Sequence, residues 1–183
     1  MPQNVLIRLN ELITLLSVAV YLITFHSYCS WLPDHPRGYV RRKKGILPAD
    51  PKMSTNYRHR AKHERVRFTS EDCDFLLDLA INDCSQSSRQ WQLHLGVAVF
   101  NHVHLLVSWA PFTPIDRVQA VLHRALNVGM RDRHHAANGR PFLSRGGSVK
   151  RVADHAHYNH LVHTNLPSHR KYGGVLRTSQ LWL

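Results

Sequence analysis

Short apolar runs separated by long polar stretches organise this chain, and the spacing inside each run predicts its element. Residues 19–27, rich in β-branched and aromatic side chains, read as a strand behind a short helix over residues 3–16. Trp91 to Phe100 and His102 to Trp109 read as two neighbouring antiparallel strands joined tightly around Asn101. Before them, Cys73, Leu76, Leu77, Ala80 and Cys84 recur at helical spacing behind a capping Thr69, with Glu71, Asp72 and Asp74 favouring the first turn. Thr113-Pro114 opens a second helix as N-cap and first residue. Ile115, Val118, Val121, Leu122, Ala125 and Val128 line its buried face, Arg117, Arg124 and Arg131 its other face, and it ends before Asn138-Gly139. Ser144 to Val152 is a glycine turn followed by a short basic strand, and Asp154 caps a third helix reaching at least Thr164. This order predicts an α+β fold, a single antiparallel-type central sheet with helices packed on one face.

The polar stretches set the boundaries. Residues 31–64 form a basic, Pro- and Gly-bearing surface insertion, of which residues 52–64 offer no core. The expected organisation is an N-terminal extension over residues 1–18 that the fold does not need, one domain over 19–174, and a tail over 175–183. Leu12 to Phe25 is an apolar run of fourteen residues, too short to span a bilayer. No small-residue cleavage site precedes Tyr28, so the run reads as extension plus core strand, and no membrane partner is expected.

Charge changes the picture. The 183 residues carry 24 Lys and Arg against 12 acidic residues, a net charge of +12, with an isoelectric point near 10.3. That is the profile of a polyanion binder, with nucleic acid the leading partner. The basic residues are spread along the chain, unlike those of a membrane-surface helix. Cys29, Cys73 and Cys84 are odd in number and form no CxxC pair, which argues against a disulfide scaffold or a zinc ribbon and for reduced thiols in a cytoplasm.

The candidate chemistry centres on His102 and His104. One residue apart on a strand, their side chains share a face while Val103 and Leu105 take the other. Two readings stand: two-thirds of a small metal site, or two of 15 histidines meeting on the wet face of a sheet. The cations Arg41-Arg42-Lys43-Lys44, with Arg37, Trp31, Tyr28 and Tyr39 near them, are either a solvated loop or a phosphate-and-stacking surface for a single strand. His155, His157, His160 and His163 crowd one helix, as a solvated face or as adventitious metal donors.

The run Asn101-His102-Val103-His104-Leu105-Leu106-Val107 resembles the NHVHLLV motif of the HUH single-tyrosine transposases, especially the group related to REP-associated tyrosine transposases. Tyr21 to Tyr28 with Trp31-Leu32 and Pro36-Arg37-Gly38 is similar to that group's opening strand and loop, and Ser144-Arg145-Gly146-Gly147-Ser148 to its late glycine turn. The likeness covers roughly residues 19–174. It implies a ferredoxin-like HUH nuclease fold in a bacterial cytoplasm, acting at the nucleoid. It implies also a divalent ion, Mg or Mn, and nicking and rejoining of single-stranded DNA beside a hairpin through a tyrosine–DNA intermediate. The family's motif sets its third ligand at His169 and its tyrosine at position 165, where this chain has Asn165. An amide cannot form the covalent bond. Tyr158 and Tyr172 are the substitute nucleophiles the sequence offers, and Arg145, Lys150 and Arg151 join Arg37 and the four-cation run as phosphate contacts. Superfamily members include monomers and homodimers, and either suits this chain. Two other functions stay open: an inactive relative that binds hairpin or single-stranded DNA, and a zinc-stabilised structural or RNA-binding module.

Overall fold

A computed structural model describes residues 18–36, 38–41, 44–137 and 139–178. In chain order these form β1 (Val20–His26), β2 (Tyr39–Arg41), β3 (Gly45–Leu47), α1 (Pro51–Arg60), α2 (Ser70–Cys84), β4 (Trp91–Val99), β5 (His102–Trp109), α3 (Ile115–Arg133), β6 (Ser148–Arg151), α4 (His155–His160) and β7 (Val175–Arg177). Between α4 and β7 the chain runs through a π turn, Leu161–Asn165, and a 3-10 segment, Pro167–Tyr172. The fold is α+β: one antiparallel five-stranded sheet in the order β6-β1-β5-β4-β7, with β2 and β3 as a separate ribbon. The helix expected over residues 3–16 lies outside the described residues.

Period-two alternation on β1 and β5 divides the sheet into two faces. On the back face Ile23, Phe25, Val103, Leu105 and Val107 pack with α2 and α3. There Cys73, Leu76, Leu77, Ala80 and Cys84 of α2 are all buried, as their spacing predicts. Thr69 and Asp72 close a reciprocal capping box at its start, and Asp72 also accepts from Arg133 and His134 at the end of α3. Burial pushes the Cys73 and Cys84 thiols up to about 12, and all three cysteines are free.

The expectation of helices on one face is corrected. On the front face Leu95, Val97 and Leu106 pack under Leu161 and Leu166, so the segment from α4 onward covers this side. A bulge in β4 makes this possible: Leu93 pairs with Val107 and Leu95 with Leu106, leaving His94 as the extra residue. The bulge turns Trp91 and Leu93 to the back and Leu95 and Val97 to the front, so the central strands are apolar on both sides.

Four further expectations are corrected. Residues 51–60 are a helix, not loop, because Asp50 caps it through the Met53 amide and Pro51 fits its first turn; it buries only Ser54. In α3, Pro114 is the N-cap, and Leu126, Asn127 and Met130 continue the stripe begun by Val118 and Leu122, while Ile115, Val121, Ala125 and Val128 are half-buried. The third helix leaves α geometry after His160. The boundary drawn at residue 174 cuts off β7, which pairs with Gly96–Ala98 at the sheet edge. No helix among the described residues is long and apolar enough to cross a membrane.

Candidate metal centre

The front face is apolar at one end of the strands and polar at the other. β1 and β5 pair so that Thr24 faces His104 and His26 faces His102, which places these side chains together at the end nearest the Phe100-Asn101 connection. His169 arrives from outside the sheet. Leu166, fully buried, anchors the π turn, whose Leu166 amide donates to the Leu161 carbonyl at 3.0 Å, and Pro167 starts the 3-10 segment that carries His169. Past it the chain turns back to the sheet through Gly174, where a Cβ would come within 2.7 Å of the His169 carbonyl oxygen and 3.0 Å of Val99. His169 is therefore fixed from both sides, by a buried leucine before it and an edge strand after it.

His102, His104 and His169 offer one nitrogen each within 4.8 Å of one another. Their ring centres are 4.5, 5.4 and 5.0 Å apart. Each ring also uses Nδ1 elsewhere. His102 Nδ1 donates to Asn101 Oδ1 at 2.7 Å, and His169 Nδ1 faces the Leu166 and Asn165 carbonyls at 3.1 and 3.2 Å. His104 Nδ1 meets Thr24 Oγ1 at 2.7 Å, where the hydroxyl can take either role. With Nδ1–H donating, Nε2 of each ring carries the lone pair, the second-shell pattern of a metal-binding histidine. Burial, then the neighbouring imidazoles, hold His102 at about 3 and His104 at about 2, with Lys150 adding to the latter, so both are neutral at pH 7. Neutral imidazoles suit Zn, Mn and related divalent ions. The donor set thus fits a metal ion, with three protein ligands and room in the set for a further one.

The tyrosines divide differently. Tyr158 packs on the front apolar cluster, and its hydroxyl pairs with His94 Nδ1 at 3.2 Å, while His94 Nε2 meets Ser108 Oγ at 2.9 Å. Ser108 lies four residues beyond His104 on β5, about 13 Å along the strand. Tyr158 therefore stands at the far end of the sheet from the triad. Asn165 is exposed at the end of the π turn, its carbonyl facing His169 Nδ1. Tyr172 is 61% exposed and three residues after His169, the spacing that eclipses side chains in a 3-10 helix. Among the described residues no tyrosine is hydrogen-bonded to, or ring-packed on, the three histidines.

Of the expected phosphate contacts, Lys150 lies on the front face opposite Leu22 and near enough to His104 to lower its pKa. Arg145 is exposed in the glycine turn. That turn passes close over β1 because Gly147, at φ +143°, has no Cβ to strike the Thr24 carbonyl oxygen, which a Cβ would approach to 2.6 Å. Arg151 is exposed beside Tyr21, on the opposite parity from Lys150. Lys44 is exposed in the ribbon turn and Arg41 lies in β2; Arg37, Arg42 and Lys43 are outside the described residues. Sequence reasoning missed Thr24, His26 and the role of Asn101. The signal for the first two is their period-two spacing on β1, usable only once the β1–β5 register is known.

Neither protein-family models nor curated proteins match this chain.

Proposed function

We propose that this chain is a member of the HUH class on a ferredoxin-like nuclease core, and that it binds single-stranded DNA bearing a hairpin at a divalent-metal centre made by His102, His104 and His169. The observation that carries the reading is the convergence of three imidazoles, each with Nδ1 engaged, two of them supplied by the HxH motif. When bound, the ion supplies Lewis-acid polarisation of a phosphodiester. The chain's own residues do the rest. Thr24, Asn101 and the carbonyls of residues 165 and 166 orient the rings, and Lys150 and Arg145 add positive charge for flanking phosphates. With Asn165 at the nucleophile's position, the chain holds its strand without forming a covalent bond to it.

One observation favours a second reading. Tyr172 is exposed one 3-10 turn from His169. As a relocated nucleophile its hydroxyl oxygen would bond to phosphorus while the bond to the 3′ oxygen breaks, leaving a phosphotyrosine and a free 3′-hydroxyl. The test is incubation with manganese and an end-labelled hairpin-bearing strand, read by gel shift and by a denaturing gel. Binding without adduct, weakened in His102→Ala and gaining an adduct in Asn165→Tyr, is the expected result. An adduct in the native chain that disappears in Tyr172→Phe establishes the second reading. Failure of the strand to bind, or binding indifferent to His102→Ala and His104→Ala, overturns both.

A further inference from the structure

A row of rings leads away from the three histidines. His26, the cross-strand partner of His102, has its ring centre 5.9 Å from that of His102 and 5.0 Å from that of Trp31. Trp31 in turn stacks on His35, with ring centres 4.0 Å apart and planes 17° from parallel. Trp31 remains 40% exposed. Its loop is rigidly held. The His35 amide donates to the Leu32 carbonyl at 3.1 Å, the Asp50 amide to the Pro33 carbonyl at 2.8 Å, and Asp34 pairs with Arg58 of α1. Ser30 ties the start of the loop to the β4–β5 connection, its hydroxyl 3.0 Å from the Asn101 carbonyl.

Positive charge runs along the same end of the sheet. The Val66 amide donates to the Tyr28 carbonyl at 3.0 Å and the Phe68 amide to the Phe100 carbonyl at 2.8 Å, so the chain around Arg67 crosses this end of the sheet while Val66 and Phe68 enter the back-face core. Arg67 lies 4.2 Å over the Phe100 ring. An exposed indole held by a stacked, half-buried imidazole, at the same end of the sheet as Arg67, is the kind of ring that single-strand binders use, because every base has a π face.

We propose that Trp31, backed by His35, is a stacking platform for an unpaired base of single-stranded DNA, flanking the phosphate engaged at His102, His104 and His169. This rests on the DNA-binding reading above. It differs from a structural role for Trp31 in one respect: it requires the base, not the backbone, of the bound strand.

The test compares a hairpin carrying a short single-stranded deoxythymidine flank with the same hairpin carrying a flank of abasic sites of equal length, by fluorescence anisotropy at fixed salt with manganese present. Trp31→Ala is expected to weaken the thymidine strand by about tenfold or more. It should leave the abasic strand and the manganese affinity unchanged, and Trp31→Phe should keep most of the native affinity. Equal thymidine binding by Trp31→Ala and the native chain overturns the platform while leaving DNA binding intact. Equal loss of both strands in Trp31→Ala overturns it in favour of a structural role. If the native chain binds neither strand, the DNA-binding reading falls and the platform with it.

Discussion

The two faces of the sheet are built from the same strands and differ by a single step in register, yet they do opposite work. On the back, the inward positions of β1 and β5 are apolar from end to end and lie under α2 and α3. On the front, Leu22 and Leu106 give way to Thr24, His26, His102 and His104 within two steps along the strands. The back face supplies stability, and the front draws on it to hold polar groups that would be costly if left unpaired. Every front-face imidazole of the triad is accordingly paired through Nδ1.

Substitutions on each face should separate these roles. Phe25→Ala, on the dry side and fully buried, is expected to lower stability by about 3–5 kcal/mol, read as a shift in the urea midpoint, with metal affinity unchanged wherever the protein stays folded. His104→Ala, on the adjacent strand but the other face, should do the reverse: manganese binding by calorimetry falls by more than about 100-fold while the urea midpoint moves little. Thr24→Val keeps the shape and removes only the partner of His104 Nδ1, and should weaken manganese by about 10- to 100-fold. If Thr24→Val left manganese affinity untouched, the hydroxyl would not be orienting the ring.

The last effect concerns pH. Burial lowers His94 to about 4 in the folded chain, against 6.5 for an unperturbed histidine. Between those values the unfolded chain binds the extra proton, so this contribution to stability is present above pH 6.5, declines as pH falls below it, and is gone near pH 4. His102 and His104 act in the same direction and continue the decline to lower pH. Urea midpoints measured without metal at pH 7 and pH 5 should differ accordingly, and His94→Gln should reduce the difference by about a third, leaving the part that His102 and His104 carry.

How much of this was legible in the sequence follows from which face a residue serves. β1, β5 and α2 could be read because their apolar spacing is regular and Thr69 is a strong cap. The HxH pair was legible for the same reason: alternation alone puts both rings on one face. The bulge at His94 was not, since one inserted residue inverts the parity of β4 and makes Trp91-Gln92-Leu93-His94-Leu95 look like unbroken alternation. α1 was hidden because it has almost no buried side to show, though Asp50-Pro51 carried its start. The place of His169 beside His102 and His104 was expected only from the resemblance of the chain to the HUH motifs. Its geometry was not legible, because a π turn and a 3-10 segment replace the regular helix that spacing assumes.

Two of the three imidazoles sit on β5, and the third rides on a strap closed by β7 against β4. Any ion that needs all three recognises only the docked strap, so by linkage its binding free energy adds to the docking of β7. Local opening at this edge and release of the ion are then one equilibrium seen by two probes. Amide exchange at Val175 and Leu176 would slow in proportion to the free ion concentration divided by its dissociation constant, making the sheet's outermost strand a reporter of occupancy at its centre.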